Sequence, residues 1–101
     1  MQTITVEQVK ARLDAGEKLN LIDVREEAEH AQFNIGGLNV KLRTIQDMAI
    51  DDIEHLKGEE VICYCRSGYR SSMACLILEH MGFTNTLNMT GGVLEWQEKI
   101  K

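Results

Sequence analysis

Six consecutive residues, Cys65-Arg66-Ser67-Gly68-Tyr69-Arg70, hold the densest chemistry in the sequence. They follow the short apolar run Val61 to Tyr64, whose β-branched and aromatic residues have the profile of a central strand. A helical pattern begins at Ser71, so the chain must curl from strand to helix within a few residues. Gly68 can take a positive φ, which lets successive amide N–H groups point into one concavity. The start of the next helix adds unpaired amides and the positive end of its dipole. Arg66 and Arg70 add permanent charge. All of this favours an anion at the centre of the loop, and the first anion available is the Cys65 thiolate. Such surroundings lower a cysteine pKa from about 8.5 into the range of roughly 3.5–7.5 and make the side chain a nucleophile. The same amides could hold the outer sulfur of a persulfide or an incoming oxyanion.

The other two cysteines read differently. Cys63 lies inside the strand with Val61 and Cys65 on its parity, which makes it a core thiol. Cys75 falls on the flank of its helix opposite the apolar stripe and is expected to be a partly exposed bystander. Cys63 and Cys65 are too close along an extended strand for a relaxed disulfide. No C-x-x-C pair is present and no histidine stands at zinc spacing from a cysteine, so no metal site is expected.

The elements that must position the loop can be placed by periodicity and glycines, because the chain contains no proline. Thr5 and Gln8 form a capping-box pattern before Val6, Val9 and Leu13, with Gly16 placed to end that helix. Leu19 to Val24 reads as a buried strand, Glu26 to Ala31 as a helical turn, and Gly36-Gly37 as a tight turn before a strand at Leu38 to Val40. Thr44 to Leu56 alternates acidic and apolar residues at helix-compatible spacing. The helix Ser71 to Met81 carries Met73, Ala74, Ile77, Leu78 and Met81 on one apolar stripe, of which Met73, Ile77, Leu78 and Met81 are expected to be buried, with Glu79 exposed and Gly82 as cap. A strand within Phe83 to Met89 and a helix after Gly91-Gly92, bearing Val93, Leu94 and Trp96, complete the series. Strands alternating with helices predict an α/β fold with a mostly parallel sheet covered on both faces. In such sheets ligands bind beyond the carboxyl ends of the strands, which is where Cys65 lies.

Composition bounds the function. The 101 residues have room for one domain, taken as residues 1–101, and are 44% hydrophobic and 27% charged. A net charge of −5 argues against a nucleic-acid partner, which needs a basic footprint. No apolar run has the length of a membrane span and the start lacks the apolar stretch of a secretory signal, so a cytoplasmic location is the default expectation.

Five motifs in order resemble the rhodanese homology family over nearly the whole chain: Asp23-Val24-Arg25 at a strand end, Ile35-Gly36-Gly37-Leu38, Val61 to Cys65, the loop Cys65 to Arg70, and Gly91-Gly92 with Trp96. Two positions depart from the pattern: Phe33-Asn34 replaces the usual Gly-His, and Gly36 replaces a proline. The resemblance implies a three-layer rhodanese-like fold with a parallel five-stranded sheet and no cofactor. It implies that Cys65 takes sulfane sulfur from thiosulfate or another donor, becomes a persulfide, and passes the sulfur to cyanide, a thiol or a protein cysteine. Arg66 and Arg70 would steer the anionic donor. Amides from Arg66 through Ser67, Gly68 and Tyr69 to Arg70 would cradle the sulfur, with the Ser67 hydroxyl as a further donor. Asp23 and Arg25 are expected to form a structural pair, and Trp96 to anchor its helix on the sheet.

Two other chemistries compete. Related phosphatases and arsenate reductases hold oxyanions in a cysteine loop with five residues between cysteine and arginine, whereas Arg66 to Tyr69 make four, a smaller cradle suited to one sulfur atom. A carrier module that accepts sulfur from one partner and delivers it to another would use the same residues.

Overall fold

A computed structural model describes residues 1–100. The chain runs β1 (Gln2–Ile4), α1 (Val6–Asp14), β2 (Leu21–Asp23), α2 (Glu27–Gln32), β3 (Leu38–Asn39), α3 (Leu42–Gln46), a 3-10 turn (Glu54–Leu56), β4 (Glu60–Tyr64), α4 (Tyr69–His80), β5 (Asn85–Met89) and α5 (Gly92–Lys99). The five strands form one sheet in the order β1-β5-β4-β2-β3, and every pairing is parallel. Strand β4 is central, and its alternate residues face opposite sides. Val61, Cys63 and Cys65 join Ile22, Ile45, Ile53 and Leu78 in one core layer, while Ile62 and Tyr64 join Val6, Val9, Leu87 and Val93 in the other. Helices α3 and α4 cover the first layer, and α1 and α5 the second. The fold is thus the three-layer α/β arrangement expected. Among the described residues no helix is long and apolar enough to cross a membrane.

Local signals held where a few adjacent residues carried them. Thr5 Oγ1 accepts the Gln8 N–H at 3.0 Å and Gln8 Oε1 accepts the Thr5 N–H at 2.9 Å, closing the capping box of α1. Four features depart from the sequence reading, one an element it does not name and three expectations that fail. Strand β1 was not legible, because three edge residues are too few to show a period. Strand β2 is shorter than the run Leu19 to Val24. The expected helix over Thr44 to Leu56 is instead α3, a turn through Met48 at φ 61°, and the 3-10 turn. Ile45, Ile50, Ile53 and Leu56 all reach the same core. In an unbroken helix, five residues would place Ile50 about 140° around the axis from Ile45. Breaking the helix lets both side chains face inward.

The fourth departure concerns the face of α4. The residues fully buried are Ser71, Ala74, Cys75 and Leu78, while Met73, Ile77 and Met81 are only partly covered. Glu79, expected to be exposed, is half-buried and accepts the Thr86 hydroxyl at 2.8 Å. Small residues face the sheet because α4 starts directly beside the Cys65 loop and lies close against β4 and β5. Cys75 is therefore wholly buried (0% exposed) in the same core layer as Cys63, not a surface bystander. A hydrogen bond with Cys75, together with burial, holds the Cys63 thiol well above its ordinary pKa.

Candidate active site

Cys65 is the first residue beyond β4, and its backbone is fixed from the far end of the chain. The Val93 N–H donates to Cys65 O at 2.9 Å and the Leu94 N–H to Arg66 O at 3.0 Å. The start of α5 therefore lies directly on the loop. Gly92 permits this approach: a Cβ there would stand 2.5 Å from Cys65 O and from the carbonyl carbon and oxygen of Arg66. Gly68 turns the loop with φ 101° and caps α4, its carbonyl accepting the Ser72 N–H at 3.1 Å and the Asn88 side-chain amide at 3.2 Å.

The resulting curl encloses the sulfur. Cys65 keeps only 1% of its surface exposed. Its Sγ receives the Gly68 N–H at 3.1 Å, the Ser71 N–H at 3.4 Å and the Ser71 hydroxyl at 3.4 Å. Burial pushes the thiol pKa up. The Ser71 hydroxyl and the N–H groups of Ser71, Gly68 and Ser67 outweigh burial and leave the thiol below its ordinary value. The Ser71 hydroxyl also stands within hydrogen-bond reach of Asn88 Oδ1. One hydroxyl carries one proton, so it serves Asn88 or the sulfur, not both. A neutral thiol leaves it on Asn88; a thiolate draws it to Sγ.

The charged residues sort into pairs. Arg70 donates to both oxygens of Glu29, at 2.9 and 3.0 Å, and this bond holds the Glu29 carboxyl down at about 2. Arg25 donates to both oxygens of the buried Asp23, at 2.9 and 2.8 Å, and also to the Phe33 carbonyl. His30 Nδ1 lies 2.8 Å from Asp23 Oδ2, and the Arg25 guanidinium stacks 5.8 Å from the Tyr64 ring centroid. The Tyr64 hydroxyl donates to Gly36 O at 2.9 Å and accepts the Ile35 N–H at 3.3 Å, and Asn34 Oδ1 accepts the Gly36 N–H at 2.9 Å. These bonds secure the segment that lacks the proline. Arg66, Ser67 and Tyr69 are exposed, Tyr69 at 74%. A cleft of about 450 Å³ opens beside the loop between Arg25, Glu29, Phe33, Arg66, Leu94 and Gln97.

The structure brings all six residues of the loop together. The hydroxyl on the sulfur is that of Ser71, not of Ser67. Arg70 is tied to Glu29 by a bidentate pair. Asp23 and Arg25 form the expected pair, and Trp96 packs against the core layer under α5. Gly92 stands in the Gly91-Gly92 motif read from the sequence, whereas Ser71, Asn88 and Glu29 carry no assigned part in the site there. Asn88 alone carried a signal, as a polar residue in the apolar run Leu87-Asn88-Met89, where a buried amide must find partners.

Comparison with known proteins identifies the family and the fold. The model of the rhodanese-like domain family matches residues 5–99. A sulfurtransferase of Allochromatium vinosum is 37% identical over 94 residues, covering 92% of this chain and 85% of its own length. The crystal structure of a rhodanese-like domain protein from Staphylococcus aureus has a TM-score of 0.82 at 27% identity, over 95% of this chain and 91% of that one. The human single-domain sulfurtransferase TSTD1 shares the fold with a TM-score of 0.81 at 23% identity, over 100% of this chain and 99% of its own. Several other curated relatives are longer, and the chain spans between 25% and 52% of their length.

Proposed function

This chain belongs to the rhodanese-like domain family, and on that footing we propose that it is a sulfurtransferase that carries sulfane sulfur as a Cys65 persulfide. The observation that carries the reading is the set of donors on one sulfur: the Gly68 amide of the loop, the Ser71 amide in the first turn of α4 and the Ser71 hydroxyl converge on Cys65 Sγ at the end of the central strand. Such a site stabilises a thiolate and then the terminal sulfur anion of a persulfide in its place.

In the first half-reaction the Cys65 thiolate attacks the outer sulfur of thiosulfate or another sulfane donor. A bond forms from Sγ to that sulfur, and the bond to the donor's inner sulfur breaks with its electron pair on the leaving group. Thiosulfate leaves as sulfite, and three negative charges stand on each side. In the second half-reaction a nucleophile, whether cyanide, a low-molecular-weight thiolate or a protein cysteine, attacks the outer sulfur and returns Cys65 as thiolate. The Ser71 proton follows the negative charge, turning from Asn88 to the sulfur when the anion is present.

Intact mass after exposure to thiosulfate tests the proposal. The chain should gain one sulfur, about 32 Da, by the covalent chemistry of a cysteine nucleophile. Dithiothreitol should remove it, and Cys65→Ser should gain none. An adduct formed only with a persulfidated protein donor would make the chain a sulfur carrier. Hydrolysis of a phosphate monoester with no sulfur adduct would overturn the reading.

A further inference from the structure

Three arginines surround the Cys65 loop, and two are already paired. Arg25 is held by both oxygens of Asp23 and Arg70 by both oxygens of Glu29. Arg66 is exposed and, among the described residues, has no ion-pair partner. These five groups leave a single net positive charge beside the sulfur. The adjoining cleft, of about 450 Å³, has a volume that holds an organic ligand, and its apolar wall includes Phe33, Val93 and Leu94. Thiosulfate is small and doubly charged; it has no body to lay on that wall. Its second charge would meet the Glu29 carboxylate, which also lines the cleft.

We propose that this cleft selects singly charged organic sulfur donors over the thiosulfate dianion, and that Glu29 sets the selection by keeping Arg70 neutralised. The inference rests on the sulfurtransferase reading and adds its substrate class. Glu29 acts through Arg70 and through its own charge, as a specificity residue rather than a catalytic one. Organic thiosulfonates are the matched probes. The Cys65 thiolate attacks the outer sulfur of R–SO₂–S⁻, the S–S bond to the sulfonyl group breaks, and the sulfinate R–SO₂⁻ leaves with the electron pair. Two negative charges stand on each side, against three for thiosulfate, while the sulfur chemistry is the same. Methanethiosulfonate replaces one thiosulfate oxyanion by a methyl group of similar size, so the pair differs by one charge. Benzenethiosulfonate adds a flat apolar body.

The experiment is steady-state kinetics with cyanide as acceptor, reading kcat/KM for the three donors on the wild-type chain and on variants of Glu29. Wild type should rank benzenethiosulfonate above methanethiosulfonate and methanethiosulfonate above thiosulfate. Glu29→Gln and Glu29→Ala should each raise the ratio of thiosulfate to methanethiosulfonate by about 5-fold or more, the scale of one unit-charge interaction screened near a protein surface. Glu29→Asp keeps the charge and should keep the ratio. The double variant Glu29→Gln/Arg70→Gln removes both charges and should return the ratio to the wild-type value, which a purely structural role of Glu29 would not produce. A ratio in Glu29→Gln and Glu29→Ala within twofold of wild type overturns the selection, as does a wild type that prefers thiosulfate to methanethiosulfonate. If no donor, thiosulfate included, leaves a persulfide on the wild-type chain, the sulfurtransferase reading fails and the selection with it.

Discussion

Replacing Gly92 by alanine would test whether α5 fixes the backbone from which the Cys65 thiol hangs. Gly92 has φ +58°, and an added Cβ would lie 2.5 Å from Cys65 O, Arg66 C and Arg66 O. Two costs add. An L-residue in the left-handed region loses about 1–2 kcal/mol. Forcing an extra carbon into a filled space costs about 1–3 kcal/mol, and here the obstacle is backbone, which cannot rotate aside as a side chain does. The expected loss is therefore about 2–5 kcal/mol, or a fall in Tm of about 10 °C or more for a domain of this size. Gly16→Ala is the matched control, because Gly16 has φ +85° with no atom within 4 Å of the added Cβ. It should show the conformational cost alone. Moving α5 away would also stretch the bonds from the Val93 and Leu94 N–H groups to Cys65 O and Arg66 O. Folded Gly92→Ala should then acquire the 32 Da adduct, fixed by the persulfide chemistry of Cys65, more slowly than Gly16→Ala. Urea titration, thermal melting and a time course of intact mass read all three effects. Equal destabilisation of the two variants would refute the claim that the loop is braced by close contact with α5.

Two further outcomes follow from the hydrogen bonds. Ser71→Ala removes one donor from the thiolate, so the thiol should titrate higher and its alkylation by iodoacetamide at pH 7 should slow by roughly tenfold, the lower end of what a hydrogen bond to a charged group contributes; peptide mapping of wild type should place the label on Cys65, whose sulfur accepts from two amides and a hydroxyl at the mouth of the loop, ahead of Cys63 and Cys75 in the core layer. The Glu29 carboxyl is depressed to about 2 from an unperturbed 4.5, so the stability that it contributes is present above 4.5 and lost as pH falls through 2; denaturant titrations should show wild type more stable than Glu29→Gln by ~1 kcal/mol at pH 7, allowing for solvent screening of a half-exposed pair, with the difference gone near pH 2.

How far the fold could be read depended on how local each signal was. The capping box at Thr5 and Gln8, the apolar run Val61 to Tyr64 and the glycine after α4 each involve a few neighbouring residues, and each marks a real element boundary or strand. The face of α4 could not be read in that way. Hydropathy picks out Ala74 and Leu78, which are buried, but also the large residues Met73, Ile77 and Met81; the face against the sheet is chosen by how closely the helix must approach, which turns Ser71 and Cys75 inward instead. Close approach is a tertiary demand that no window of sequence displays. The segment from Thr44 to Leu56 failed for the converse reason: its spacing allowed a helix, but burial of Ile45 and Ile50 in one layer required a break.

The same distinction decides which parts of the site were legible. The loop from Cys65 to Arg70 is contiguous, so its thiol, its turn glycine and its charges stood together in the sequence. Their partners did not. Asn88 reaches the loop only because β5 pairs with β4 in a register that sets Cys63 beside Asn88. Glu29 is one of three glutamates close together in and around α2, with Glu26 and Glu27, and nothing local marks it as the one that meets Arg70. Adjacency in the chain sets both Arg66 and Arg70 beside one anion, and the position of Arg70 at the helix entry is all that distinguishes it as a residue that could also hold the loop's shape. An arginine held close to a carboxylate of its own fold is satisfied by that carboxylate first, because a bidentate charge-assisted pair is geometrically matched and always present, whereas a substrate is not. The topology supplies Glu29 to Arg70 and Asp23 to Arg25, and among the described residues it supplies no carboxylate to Arg66. Which of the three cations is free for a ligand is therefore decided by the placement of the acidic residues and not by distance from Cys65 along the chain.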